Sequence, residues 1–221
     1  VMRLVLVRHG QTPANVAGVI ESSFPGPGLT GLGVEQAAAV PAALAAESVD
    51  SISVSRLVRT HLTAAPLARA TGIEPVERPG LHEVQAGVYE GGTGRDAIQG
   101  YVGVVARWGA GELDARMPGA EDGHEFFARF DADVRAIADS GSRVAVVVSH
   151  GAAIRVWSVV RSGNVDASFL YERDLGNTGV VVLEGSPDEG WTLLTWQGDP
   201  VGGHALEDET ALDPTGEAAS A

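Results

Sequence analysis

Two short apolar stretches of the chain end in the same way: Val7 leads into Arg8-His9-Gly10, and Val148 leads into Ser149-His150-Gly151. Apolar runs of this length followed by glycine read as buried strands. In an open parallel sheet, ligands bind outside the carboxyl ends of the strands, so both His-Gly pairs should reach one crevice. The glycine after each histidine allows a sharp turn and a close approach of ligand to backbone. Ser55-Arg56-Leu57-Val58-Arg59 leaves another strand at the same edge, with Arg59 in the first turn of the following helix, and Glu83 lies in the loop after a third strand. Two imidazoles, Arg8 and Arg59, together with helix N-terminal amides, suit an anion of about phosphate size. A neutral imidazole, with an ordinary pKa near about 6.5, can attack phosphorus in line and carry the phosphoryl group as a phosphohistidine. The leaving alkoxide then needs a proton. A carboxyl beside a phosphodianion is pushed toward its protonated form, which suits Glu83 to be the general acid and, once ionised, to take a proton from the attacking water.

The composition narrows the alternatives. The 221 residues contain no cysteine, and all 15 cationic side chains are arginine, so thiolate and amine nucleophiles are excluded and any anion site uses planar guanidinium groups. A metal held by His9 and His150 is disfavoured because their neighbours are guanidiniums, which repel a cation, and no cofactor is expected. The net charge of −14 argues against nucleic-acid and membrane-surface binding. Apolar runs are too short to cross a membrane and no signal sequence opens the chain, so a cytoplasmic protein is expected.

The elements that must position these residues alternate. Strands are expected at Arg3–Val7, Ser51–Val54 and Glu74–Glu77, separated by a helix capped by Thr30, running to about Ala46 with a kink at Pro41, and a helix from about Leu57 to Ala70 capped by Ser55. A glycine-rich segment over residues 79–123 breaks the rhythm and reads as an insertion over the sheet. An amphipathic helix follows over residues 124–139, then the strand Val144–Val148, a helix to about Val160, and late strands at Gly179–Leu183 and Trp191–Trp196. The predicted fold is a three-layer α/β/α sandwich. It has a mostly parallel central sheet, one antiparallel edge strand, and the cover segment over the C-terminal ends of the strands. One domain spans residues 1–198, followed by an acidic tail over residues 199–221 that carries six carboxylates and reads as a solvated extension.

Leu6-Val7-Arg8-His9-Gly10-Gln11-Thr12 with Asn15 resembles the signature of the histidine phosphatase superfamily, phosphoglycerate mutase-like branch. Further landmarks follow in order: Leu29-Thr30, Ser55 with Arg59-Thr60, Leu81 with Glu83, Val148-Ser149-His150-Gly151, and Asn177-Thr178. The resemblance covers Arg3 to about Gln197. It implies that His9 is the phosphorylated nucleophile, that Arg8, Arg59 and His150 hold the phosphoryl oxygens with help from Asn15, that Glu83 is the proton donor, and that no metal is needed. Gln11, Ser22, Ser23, His82 and Gly151 are candidate substrate contacts.

Arg56 competes with Arg59 and Glu90 with Glu83 for the same roles; the helical position favours Arg59. His61, His124 and His204 read as structural or surface residues. The Arg-His-Tyr-Gly stretch typical of the mutases has no counterpart in Gly91-Gly92-Thr93-Gly94-Arg95. A sparsely basic cover should admit water, which favours a phosphomonoester hydrolase acting on a small phosphorylated metabolite. Phosphoglycerate mutase-type transfer is the alternative, and a catalytically silent phosphoester-binding protein is the alternative of another class. Tyr89, Tyr101, Trp108 and Met117 suggest a partly apolar cover and a leaving group larger than glycerate. The only partner indicated is a small phosphorylated substrate; a homodimer is left open.

Overall fold

A computed structural model describes residues 1–218. The chain runs β1 (Met2–Arg8), α1 (Pro13–Ala17), α2 (Gly31–Ala43), β2 (Ser51–Val54), α3 (Val58–Thr71), β3 (Val76–Glu77), α4 (Arg95–Gly109), α5 (Gly123–Asp139), β4 (Val144–Ser149), α6 (Gly151–Arg161), α7 (Phe169–Glu172), β5 (Val180–Ser186) and β6 (Gly190–Gln197). The sheet order is β3-β2-β4-β1-β5-β6. β1 pairs in parallel with β4, and β4 and β3 pair in parallel with β2; β5 is antiparallel to both β1 and β6. The expected α/β/α sandwich is present, and the reversal of strand direction falls at β5, one place in from the edge.

Alternation along the strands builds the layers, because successive side chains point to opposite faces. Leu4, Leu6 and Val147 pack with Phe126, Phe130 and Trp157 of α5 and α6 on one face. Val5, Val7, Val146 and Val148 pack with Val40, Ala64 and Leu67 of α2 and α3 on the other. Since both faces are covered, the central strands are apolar at every position, which is why they stand out in the sequence. α5 starts on a capping box in which the Asp122 carboxylate accepts from the Glu125 amide.

The cover segment is built into the larger core. Tyr101, Trp108 and Met117 are buried, and Trp108 stacks on Phe126 with ring centroids 5.5 Å apart. Their apolar surface is consumed by packing, so it does not indicate a large leaving group.

The segment after β6 corrects the expectation of a solvated extension. Val201 and Thr215 are buried, Gln36 Nε2 donates to Leu206 O at 2.8 Å, and Leu175 N donates to Gly216 O at 2.7 Å. Within the described residues this segment is laid back across the C-terminal ends of the strands; its last three residues, 219–221, lie outside them. No helix of the described residues is long and apolar enough to cross a membrane.

Candidate active site

The in-register pairing of Arg8 with Ser149 across β1 and β4 places His9 and His150 side by side. Their ring centroids lie 5.4 Å apart, and both side chains are buried. His9 Nδ1 lies 2.8 Å from the carbonyl oxygen of Gly10. A carbonyl can only accept, so Nδ1 carries the proton and Nε2 keeps its lone pair. The main chain at His9 is also fixed: its amide donates to Ser149 O at 3.0 Å, and Asn177 Nδ2 donates to its carbonyl at 3.2 Å. Gly10 is required because a Cβ there would stand 2.6 Å from Gly33 O.

His150 occupies the N-cap position of α6, and its Nε2 is 2.7 Å from Ser55 Oγ, while its buried Nδ1 has no partner. Ser55 is a site residue that sequence reading assigned to the wrong task. It does not cap α3, whose N-cap is Leu57 with no side-chain cap bond; instead it orients an imidazole. Both histidines are held well below their ordinary pKa, first by burial and then by the Arg59 charge, so both are neutral at physiological pH.

Glu83 is buried. Its Oε1 accepts from the amides of Val84 and Ala153, each at 2.8 Å, and its Oε2 from Ala152 at 3.3 Å. The amides opening α6, expected to face an anionic ligand, are thus taken by Glu83. Burial raises its pKa, and those amides, Arg59 and Arg8 moderate the rise. Arg129 of α5, which the sequence does not single out, holds the acid's loop: its guanidinium donates to the carbonyls of Gly80, His82 and Glu83 at 2.8, 2.8 and 2.9 Å and pairs with Glu121.

Arg59 is buried in the first turn of α3, and its Nη1 donates to Glu21 Oε2 at 2.9 Å. Arg8, fully buried, donates to both carboxylate oxygens of Asp213, to Leu175 O at 2.8 Å and to Thr215 Oγ1 at 3.1 Å. Asn15 caps α1 reciprocally with Thr12 and donates to Asp213 Oδ1 at 3.2 Å. Gln11 Nε2 donates to Asp208 at 2.9 Å. His82 stands 6.1 Å from His150, ring to ring, and burial lowers its pKa. Gly151 is pressed between Thr215 O and Arg8 Nε, 2.7 and 2.9 Å from where a Cβ would stand. The serines differ from expectation: Ser22 Oγ donates to Glu90 at 2.5 Å and Ser23 Oγ to Glu21 at 2.8 Å, so both order their own loop. This also separates the two competing carboxylates, since Glu90 holds that loop while Glu83 sits at the start of α6. Arg56 is exposed, beside Glu77 and over the Phe24 ring.

Among the described residues, His9 and His150 thus meet a buried carboxyl and two buried arginines at one sheet edge. The family model described as histidine phosphatase superfamily (branch 1) matches residues 4–199. The chain belongs to the histidine phosphatase superfamily. The PE-PGRS family protein PE_PGRS11 of Mycobacterium tuberculosis is 38% identical over 94% of this chain, which spans 38% of that protein's length. GpmB of Photorhabdus laumondii, named for phosphoglycerate mutase, is 33% identical over 69% of this chain and 71% of its own. A solved mycobacterial glucosyl-3-phosphoglycerate phosphatase superposes with a TM-score of 0.72 at 27% identity, covering 90% of this chain and 100% of that one. Within a histidine phosphatase the neutral, tautomer-fixed His9 is the group whose surroundings fit nucleophilic attack.

Proposed function

We propose that this histidine phosphatase is a phosphomonoester hydrolase for a small phosphorylated metabolite, with His9 as nucleophile and Glu83 as proton donor. The observation that carries the reading is the Nδ1–H bond of His9 to Gly10 O, which leaves Nε2 unprotonated in a pocket that keeps the ring neutral. Nε2 forms a bond to phosphorus as the ester P–O bond breaks, and the leaving oxygen takes the proton of Glu83. Water then attacks the phosphohistidine, gives its proton to the Glu83 carboxylate, and inorganic phosphate leaves with His9 restored. Arg8, Arg59, Asn15 and the free Nδ1 of His150 hold the phosphoryl oxygens and neutralise charge that builds on them. No step needs a metal or a cofactor.

Hydrolysis is favoured over transfer because the cover segment offers few free cations to retain a bisphosphorylated intermediate. Arg107 pairs with Glu112, and Arg116 with Asp122 and Glu125. The similarity to a phosphatase of known structure over most of the chain points the same way. The cytoplasm, where phosphorylated metabolites are available, is the compartment that fits this reading.

The test is p-nitrophenyl phosphate hydrolysis by wild type and His9→Ala. A loss of about a thousandfold or more is expected, as for removal of a covalent nucleophile; equal rates would remove the reading. Supplying 3-phosphoglycerate with its bisphosphate primer separates the two chemistries: inorganic phosphate is expected, and 2-phosphoglycerate would make the protein a mutase.

A further inference from the structure

The acidic stretch after β6 has one carboxylate whose position differs from the rest. The Asp213 side chain is 13% exposed and forks onto Arg8, with Nη2 donating to Oδ1 at 2.7 Å and Nη1 donating to Oδ2. Asn15 Nδ2 donates to the same Oδ1. Two groups that would hold a phosphoryl group are therefore holding an anion of the chain itself, in the planar bidentate geometry that guanidinium offers to carboxylate and phosphate alike. Thr215 Oγ1 and Leu175 O accept two more of the Arg8 N–H bonds, leaving only Nε without a partner. Thr215 also forms a wall of the cavity lined by His9, Asn15, Glu21 and Arg59, which measures about 10 Å³. A space of that size holds roughly one water, not a phosphoryl group. Contacts of Gln11 with Asp208 and of Gln36 with Leu206 O anchor the segment on the near side, and the bond from Leu175 N to Gly216 O anchors it on the far side.

We propose that residues 206–218 are an internal competitor for substrate: Asp213 occupies the phosphoryl position on Arg8 and Asn15, and the segment lifts away before a phosphomonoester binds. The proposal rests on the reading of Arg8 and Asn15 as phosphate ligands. The apparent dissociation constant of any phosphoryl ligand is then its intrinsic value divided by the fraction of molecules with the segment displaced. Asp213→Ala removes the competing anion and leaves every proposed ligand in place. Charge-assisted hydrogen bonds of this kind correspond to roughly a tenfold effect or more on that fraction.

The experiment measures inorganic phosphate binding by calorimetry, together with kcat and KM for p-nitrophenyl phosphate. It compares wild type, Asp213→Ala, a chain truncated after Glu209, and Glu209→Gln, which removes the same charge from the same stretch without touching Arg8. Asp213→Ala is expected to tighten phosphate and lower KM about tenfold, with the truncated chain equal or stronger, and Glu209→Gln is expected to change either by less than about twofold. Unchanged or weaker phosphate binding in a folded Asp213→Ala protein overturns the proposal, as does equal tightening by Glu209→Gln, which would reduce the effect to general charge. If the truncated chain does not fold, Asp213→Ala decides alone. Tightened phosphate binding with no hydrolysis by any variant would uphold the competitor and remove the hydrolase; hydrolysis with unmoved phosphate affinity would do the reverse.

Discussion

His9 and His150 share one buried space with Arg59, and the consequence is a pH dependence of stability with a defined sign. Each imidazole has a folded pKa below its unfolded value, so below pH about 6.5 the unfolded chain takes up protons that the folded chain refuses. Stability should fall as pH falls from about 6.5 toward the depressed values, and urea midpoints at about pH 7.5 and pH 5.5 should differ accordingly. His150→Asn should flatten that difference; a wild-type midpoint indifferent to pH would contradict the depressed values. Glu83 is displaced the other way, its carboxyl keeping a proton above the usual carboxylate range. Glu83→Gln is expected to lower kcat for an alkyl phosphate by about a hundredfold or more. The loss should be much smaller for p-nitrophenyl phosphate, whose leaving group departs without a proton, and equal losses on the two substrates would assign Glu83 another role. These residues were legible in the sequence because each follows a strand at the same sheet edge. Ser55 was misread because a serine before a helix resembles a cap, and Asp213 because a carboxylate in an acidic stretch resembles a solvated one; both depend on contacts with residues far away in the chain, Ser55 with His150 and Asp213 with Arg8.

At the scale of elements, the loop that carries Glu83 has no regular structure beyond two short 3-10 turns, Pro79–Leu81 and Gly87–Tyr89, and α5 supplies its rigidity through Arg129. That side chain donates to three carbonyls of the loop, those of Gly80, His82 and Glu83, pairs with buried Glu121 and lies over the Phe126 ring, 4.9 Å from its centroid. Arg129→Met leaves Glu121 unpaired, so a stability loss of about 3 kcal/mol is expected in chemical denaturation. In the fraction that remains folded, kcat should drop more than KM rises, because the acid and not the phosphate cradle is displaced; the opposite split would place Arg129 in binding. The parallel strands were easy to recognise because they are buried on both faces and therefore continuously apolar. The order β1-β5-β6 was not, since the direction of a strand is decided by the path of its connection and leaves no mark on composition. Arg129 was equally silent: a single arginine on an amphipathic helix has the pattern of a surface residue, and only the chain's return over residues 80–83 gives it partners.

On the scale of the whole molecule, the charge is unevenly placed. Asp174, Asp199, Glu207, Asp208, Glu209, Asp213 and Glu217 line one depression that also contains Gln11 and Asn177. A phosphate dianion approaching by that side meets a repulsive field, which salt screens over about 8 Å at physiological ionic strength. kcat/KM for p-nitrophenyl phosphate should therefore rise by roughly twofold or more between low and moderate sodium chloride; a fall would show that the buried arginines dominate at long range. The sheet order has a further consequence. β1 precedes the other five strands of the sheet in the chain, yet its two neighbours are β4, residues 144–149, and β5, residues 180–186. Pairings so distant along the chain close slowly, on a scale of about milliseconds to seconds. A nascent chain that has not reached β4 carries β1 with both edges unpaired, an apolar template for association with other chains. Arg8 and His9 thus wait for strands far behind them, and the pocket is assembled only once β4 and β5 have both emerged from the ribosome.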